Sequence, residues 1–453
     1  MQDALFGGTD AAQNLHHDQF DQADFQAVEQ LRRGRPRLRL ADRSQVGMHY
    51  CSIDELVPVD HKVRVIWDAV CQMDLTGFIE PIKAREFVEG RSANDPRVMV
   101  GLWLWAAVNG IARGRVVARL CERDLSFKWM CGGLSMNYHT LNDFRVGHQE
   151  ALDKLFTQVL GKLMHAELVS VNRISQDGLR VRASAATSSF HTRPTLEKCL
   201  AEAEAHLADL KKLADSPENQ EVQEQDRAIE TALAEDRLER VKAALVEVGK
   251  VEESKAGQRG EKGRRPAKAS TTDSEARTMK MPNGGFNPAY NVQFASDPIS
   301  RAIVGVLVSN SGTDTPLSTP MRQQVEDRTG CKVKEHLIDG GYVDHGQIDT
   351  AAADDVTLYM PVPKPAANAK QQDRFAPRNS DSESVAAWRA RMNTDQAKEI
   401  YLQRAATSET INADLRTQRG MAPLSVRGIA KATCVALWSV LAYTILTFPT
   451  ALT

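Results

Sequence analysis

Five short segments rich in β-branched residues constrain the fold more than any other feature of this sequence. Each is bounded by turn residues, which is typical of strands. They cover residues 169–183, 290–295, 302–308, 335–338 and 356–360. The short gap at 297–300 fits a hairpin turn, whereas helical or longer connections separate the other segments. We therefore expect an α/β fold with a mixed sheet and flanking helices.

A long helical stretch interrupts this strand series. Leucines and other apolar residues recur near helical spacing between 195 and 245, with a Ser-Pro-Glu-Asn break at 216–219. This pattern predicts an antiparallel helical hairpin. The basic run at 255–268 that follows it can either track phosphates or serve as a solvated tether.

The region from 60 to 165 has the apolar periodicity of helices. Asp95 followed by Pro96 predicts a helix start. An amphipathic segment at 114–122, a Gly132-Gly133 break and a longer helix from Thr140 resemble a helix-turn-helix pair. Exposed polar side chains near the two helix starts are the predicted DNA contacts, although an ordinary solvated helix face explains them equally well. They are Arg113, Arg115, His139, Thr140, Asn142 and Arg145.

The N-terminal leader is acidic and is followed by an Arg-dense segment at 31–39. Gly34 and Pro36 disfavour a helix there, so we expect an extended arm. Arg33 and Arg35 resemble an AT-hook, in which arginines enter the minor groove of A·T-rich DNA. A solvated linker is the alternative interpretation.

Composition excludes some classes of protein. The 57 Lys and Arg residues against 59 Asp and Glu give a formal net charge of −2, so any DNA contact must come from local basic patches. Seven scattered cysteines without a Cys-x-x-Cys pair favour a reducing cytoplasm and argue against structural zinc. The apolar run at 432–448 predicts a buried helix rather than a membrane span, because polar residues interrupt it.

Three carboxylates are the candidate catalytic groups. Asp177 and Asp339 each precede glycine in or after a strand, where metal or phosphate can approach closely. Glu409 and Arg416 lie seven apart on a predicted helix and share a face. Taken singly, each aspartate is also explained as a turn residue and the Glu–Arg pair as a surface ion pair. Further acids near strands are interpreted as turn or cap residues, namely Asp273, Asp297, Asp314 and Asp344.

Taken together, these motifs resemble those of bacterial insertion-sequence transposases with a DDE catalytic domain of RNase H-like fold. The resemblance runs from about Leu56 to the C-terminus. It rests on 140–145, Asp177-Gly178, 290–293, 339–342 and the Tyr401–Arg404–Glu409 segment. Such families carry a Tyr-x2-Arg-x3-Glu-x6-Lys signature, whereas here four residues separate Arg404 from Glu409 and Arg416 replaces the lysine. That departure bears most on Glu409.

The resemblance implies that Asp177, Asp339 and Glu409 hold Mg²⁺ or Mn²⁺, which prefer oxygen ligands. It also implies that Tyr401, Arg404 and Arg416 contact DNA. Water would cut at the transposon end, and the freed 3′-hydroxyl would attack target DNA, within a homodimer on double-stranded DNA in the cytoplasm, near the nucleoid. A catalytically silent DNA-binding protein and a stand-alone nuclease are the alternatives.

The expected division of the chain has five parts. A leader and arm (1–50) precede a helical DNA-binding domain (51–165). The catalytic domain (166–190 and 270–420) is interrupted by the hairpin and linker (191–269). A C-terminal helix (421–453) completes the chain.

Overall fold

The computed structural model describes residues 50–85, 87, 92–214, 224–256, 266–364 and 373–453, together with Ser44 and Val46. The chain divides into two units, Met1–Cys51 and Ser52–Thr453, and the fold below is that of the second. Arg33, Arg35, the 216–219 break and most of the basic run at 255–268 lie outside the described residues.

Among the described residues, seven helices form the N-terminal part of this unit, up to His165. They are α1 (Lys62–Cys71), α2 (Thr76–Ile79), α3 (Pro96–Val108), α4 (Gly114–Arg123), α5 (Leu125–Met130), α6 (Tyr138–Gly147) and α7 (Gln149–His165). The predicted start of α3 is confirmed, since Asp95 accepts a hydrogen bond from the backbone N–H of Arg97 and Pro96 occupies the first turn.

The predicted two-helix pair is more divided than expected. The short α5 lies between α4 and the glycine pair, and Gly132 and Gly133 adopt φ of 59° and 76°, which glycine tolerates best. The single helix expected from Thr140 is two helices, because the chain leaves helical geometry at His148 (φ −126°, ψ 46°) directly after Gly147. Glycine is a poor helix former, so a break there is unsurprising.

The sheet has six strands and follows the five predicted segments. Its strands are β1 (Arg173–Arg182), β4 (Arg277–Lys280), β5 (Phe286–Ser296), β6 (Ile303–Ser309), β7 (Glu335–Leu337) and β8 (Thr357–Tyr359). Central β1 pairs antiparallel with β5 on one side and parallel with β7 on the other, and β7 pairs parallel with β8. Strands β4 and β6 pair with successive parts of β5. The expectation of a mixed sheet within an α/β fold is confirmed.

The predicted insertion is present after β1. Two long helices, α8 (Arg193–Ala214) and α9 (Glu224–Ala256), pack together, and a two-stranded sheet of β2 (Phe190–His191) and β3 (Ala269–Ser270) closes their base. The pairs Arg193–Glu252 and Lys211–Glu235 show that the helices run antiparallel.

Helices cover the sheet and complete the C-terminal part. They are α10 (Ser318–Thr329), α11 (His345–Ala353), α12 (Glu383–Met392), α13 (Asp395–Thr417), α14 (Ile429–Thr447) and α15 (Pro449–Leu452). Helix α14 is long and apolar enough to cross a membrane by composition, yet most of it is buried within the fold. It packs against α1, α3, α6, α7 and β6, so the prediction of a buried C-terminal helix is confirmed.

Candidate active site

Parallel pairing of β1 with β7 brings Asp177 and Asp339 to the same level of the sheet. The last registered pair of these strands is Ser175 with Leu337, and each aspartate lies two residues beyond it. Asp339 follows the end of β7 and precedes a short 3₁₀ helix, whereas Asp177 lies inside β1, which continues to pair with β5. The topology therefore brings together two aspartates that are distant in sequence.

One arginine joins the two carboxylates. An Nη2 atom of Arg404, on α13, lies 3.1 Å from Oδ1 of Asp177 and 3.7 Å from Oδ2 of Asp339. Burial raises the pKa of Asp177, and the charges of Asp339 and Asp314 act in the same direction, while Arg404 and the Gly178 N–H oppose this. Asp177 thus lies in a crowded acidic environment where a cation is favoured.

Helix α13 presents successive turns to β1. Ser408 and Ser175 share a hydrogen bond of 2.8 Å between their hydroxyls, and Asn412 Nδ2 donates to Oδ2 of Asp177 at 3.1 Å. Arg404, Ser408 and Asn412 are four residues apart, so they form one stripe along the helix. Asn412 was not predicted as a site residue, and the sequence signal for it is this spacing from Arg404.

Glu409 lies outside this stripe. It is exposed, and among the described residues none is recorded as a hydrogen-bond donor or ion-pair partner of its carboxylate. By helical geometry it is displaced about 60° around the axis from Asn412. Arg416 is also exposed, on the same flank, and Tyr401 is half-buried. The catalytic role of Glu409 stays a prediction.

A third aspartate, Asp314, adjoins the site. It stands at the N-cap position of a short 3₁₀ helix, in agreement with the sequence interpretation of a turn or cap residue, but its side chain makes no capping hydrogen bond. Instead its carboxylate accepts hydrogen bonds from Arg180 (2.9 Å to each oxygen), from Asn291 (2.7 Å) and from Gln293 (2.8 Å). We name Asp314, Arg180, Asn291 and Gln293 the Asp314 network. Its signal in the sequence was the pair Asn291 and Gln293, two residues apart within the otherwise mainly apolar β5.

The other three acids also stand at turn or cap positions, although the carboxylate of Asp273, like that of Asp314, bonds to residues distant in sequence. Asp344 accepts from the N–H of Gln347 at the start of α11, and Asp297 accepts from Ile299 within the β5–β6 hairpin. Asp273 begins a turn and accepts hydrogen bonds from the Tyr290 hydroxyl and the Gly428 N–H.

Two glycines make room for these acids. A methyl group at Gly178 would lie 2.9 Å from both Asn291 Oδ1 and Asp314 Oδ1, and closer still to Gln293 Nε2. A methyl group at Gly341 would lie 2.9 Å from Asp339 Oδ1 and 3.6 Å from Asp314 Oδ2. Both glycines therefore border the same group of polar side chains, and a larger residue at either position would push those side chains aside.

The predicted DNA contacts of the helical region lie in two clefts, and one of them, Arg145, is buried in the wall of the first. Arg113, Arg115 and Asn142 line one cleft of about 1100 Å³. His139 and Thr140, both exposed, line a second cleft of about 990 Å³. Neither cleft is lined by Asp177 or Asp339.

Arg145 corrects the expectation of an exposed contact. Its side chain is buried, with only 6% of the residue exposed, because its guanidinium lies over the Trp103 ring and donates to the carbonyl of Ala112 and to Ser425. Burial lowers its pKa to about 10, so it stays charged at neutral pH. Its Nη1 therefore serves the fold, through the bonds to Ala112 and Ser425.

The described residues contain no group of three or more His, Cys, Asp or Glu side chains arranged to hold a metal ion. What the geometry defines is a polar site with two adjacent aspartates, a shared arginine and a neighbouring acid network at the edge of a mixed sheet.

A family model described as "Transposase domain (DUF772)" matches residues 51–146, which are the helices from the start of the second unit to α6. This match supports a role in the transposase class. No curated protein and no solved structure matches the chain.

Proposed function

We propose that the protein is a DDE-type insertion-sequence transposase, which cuts and joins DNA with an RNase H-like catalytic domain. The observation that carries this proposal is the side-by-side placement of Asp177 and Asp339 under Arg404. The transposase-domain match in the preceding helices supports it independently. The strand order and the helical insertion after β1 support the fold assignment.

The donor set fits Mg²⁺ or Mn²⁺ in part. Hard cations prefer carboxylate oxygens. Burial first, and the nearby Asp339 and Asp314 charges to a smaller extent, raise the pKa of Asp177, and a bound cation would favour its ionised form. Asp177 and Asp339 would hold the ion. Glu409, one helix face away, would complete the set if that part of α13 turns toward β1. When bound, such ions activate an attacking oxygen and stabilise the leaving oxygen of a phosphodiester.

The protein's own groups have separable roles in this proposal. Arg404 neutralises the aspartates before a cation arrives and is then available to a phosphate, for which its planar fork is suited. Asn412 fixes one oxygen of Asp177 and leaves the other to face Arg404. Gly178 and Gly341 allow a DNA backbone to approach. Tyr401 and Arg416 would contact DNA from the same helix.

The partner is double-stranded DNA, first the element ends and then the target. The helical region, with its helix-turn-helix-like elements, would recognise the ends, and His139, Thr140 and Asn142 are placed on its exposed surface for this. Two ends require more than one protomer, so we propose a homodimer on DNA in the cytoplasm, near the nucleoid.

The test is metal-dependent cleavage and joining of a labelled DNA fragment that carries the element's end. Wild type is compared with Asp177→Asn, Asp339→Asn and Glu409→Gln, and binding is measured separately by fluorescence anisotropy. We expect each variant to bind DNA normally and to cut about 10²–10³-fold more slowly, as removal of a charge-stabilising group commonly does.

Other outcomes distinguish the alternatives. Wild-type binding without cutting indicates a catalytically silent DNA-binding protein, and cutting without joining indicates a nuclease. Loss of activity in the two aspartate variants alone removes Glu409 from the set. Cutting that persists in Asp177→Asn overturns the proposed active site.

A further inference from the structure

The cleft lined by Arg113 and Arg115 is closed on its other side by the C-terminal segment 420–431. This segment comprises most of the connection from α13 to α14 and the first residues of α14, and it lies outside the region matched by the transposase-domain model. It contributes Arg427 and Lys431, both exposed. Parts of the chain about 300 residues apart therefore form one concave surface, which we call the basic cleft.

Charge in the basic cleft is strongly one-sided. Its lining includes five cations and one acid, Asp143, although the whole chain has a net charge of −2. The cations are Arg113, Arg115, Arg145, Arg427 and Lys431. Like charges in a concave site focus a positive potential and attract anions.

The cleft cations differ from many arginines elsewhere in the fold. Arg173, Arg328 and Arg389, for example, each pair with a carboxylate. Within the described residues, no ion pair is recorded for any of the five cleft cations. The guanidinium of Arg115 lies over the Tyr138 ring and donates a hydrogen bond to its hydroxyl. The buried Arg145 adds an Nε atom that lacks a hydrogen-bond partner.

The walls of the cleft are tied together. Ser425 Oγ donates to the carbonyl of Ala112 at 3.0 Å, and Arg145 donates to both residues. The Leu424 N–H donates to the carbonyl of Arg182, the last residue of β1. These hydrogen bonds hold the two walls of the cleft together and connect the cleft to β1, the strand that carries Asp177.

We propose that the basic cleft binds the phosphate backbone of duplex DNA beside the active site, with Arg427 and Lys431 as contacts. Ser184, which lines the cleft, lies seven residues beyond Asp177, a distance of roughly 20 Å along an extended chain. Duplex DNA rises about 3.4 Å per base pair. A duplex end at the aspartates would reach the cleft about six base pairs inward.

The test measures binding of the full chain to a fluorescein-labelled duplex of about 20 base pairs, by anisotropy over a range of salt concentrations. The probe variant is Arg427→Ala with Lys431→Ala. The control, Lys332→Ala with Lys398→Ala, removes two exposed positive charges away from the cleft. Circular dichroism checks that each variant is folded.

We expect the probe variant to bind at least about tenfold more weakly at physiological salt. The slope of log K against log salt should decrease by about two, because each lost phosphate contact removes about one. The control should change little, and Arg427→Lys should retain most of the affinity. Equal binding by probe variant and wild type would overturn the proposal.

The basic-cleft proposal rests on the proposed function, and two further measurements test the two proposals separately. If cleavage fails in every protein while the binding loss persists, the cleft stands and the catalytic proposal falls. If inorganic phosphate displaces the duplex far better than chloride of equal ionic strength, the cleft is a site for free phosphate and the DNA proposal is overturned.

Discussion

At the scale of single residues, the site depends on where side chains are absent as much as on where they are present. Gly178 lies opposite Gln293 in the β1–β5 register, directly beneath the Asp314 network. The neighbouring Tyr342 hydroxyl donates to the same Gln293, which extends the network under the aspartates. A small residue at this position keeps three acids and their donors in one layer.

We predict that Gly178→Ala disrupts this layer. The added methyl group overlaps Gln293, and overpacking of this kind costs roughly 1–3 kcal/mol. Chemical denaturation should show the loss, together with reduced DNA cleavage. Gly161→Ala is the control, because its methyl group meets no atom within 4 Å and helix propensity favours alanine by about 1 kcal/mol. Equal stability of the two variants would contradict the prediction.

His336 is a second residue with a measurable consequence. It is fully buried in β7, both ring nitrogens lack hydrogen-bond partners, and burial, assisted by Arg322, lowers its pKa to about 3. The unfolded chain protonates this histidine near pH 6.5, whereas the folded chain does not. Stability is therefore fully present above pH 6.5 and is lost as pH falls toward 3.

For His336 we predict a loss of about 1.4 kcal/mol per pH unit below pH 6.5, from this group alone. Urea denaturation at pH 7.5 and pH 5.5 measures it. His336→Leu should reduce the difference between the two pH values, whereas His206→Gln, at an exposed position, should leave it unchanged. A pH dependence that is the same in His336→Leu would show that other groups cause it.

At the scale of elements, β-branched runs and turn residues were sufficient to predict the five main strands. The apolar periodicity likewise predicted the insertion and the buried α14. Short elements were missed, namely β2, β3, β4 and α5, because runs of two to six residues carry too little periodic signal. Their positions are fixed by pairing with distant residues, as β4 is by β5.

The candidate site was predictable in part for the same reason. A glycine directly after each aspartate identifies Asp177 and Asp339 as candidates in the sequence. The local sequence does not show that β1 and β7 pair in parallel, and it is this pairing that places the two aspartates at the same level of the sheet. The Asp314 carboxylate looks like a cap from its local sequence. Its partners lie 21 to 134 residues away, so local patterns could not reveal them.

Helix α14 provides a prediction at this scale. Trp438 is buried, its ring lies 6.4 Å from that of Phe144, and its Nε1 donates to the carbonyl of Arg145 at 2.9 Å. Trp438→Ala should cost about 3–5 kcal/mol, and Trp438→Phe, which loses mainly the hydrogen bond, about 1 kcal/mol. Denaturation midpoints measure both. Similar midpoints for the two variants would contradict this packing role.

At the scale of the whole molecule, one hydrophobic core joins the ends of the described unit. Residues of α1, α3 and α7 share a buried cluster with β5, β6 and α14. A second core, formed mainly by β7, β8, α11 and α12, lies apart from it. The helical region matched by the transposase-domain model is therefore built together with the sheet and the C-terminal helix.

This shared core has a consequence for synthesis of the chain. The N-terminal helices leave the ribosome long before α14 is synthesised. Until then, the apolar surface of these helices that packs against α14 in the folded protein stays exposed. A copy of the gene cut short before codon 429 would yield a fragment without its central packing helix. Such a fragment would be a substrate for proteases rather than a smaller DNA-binding protein.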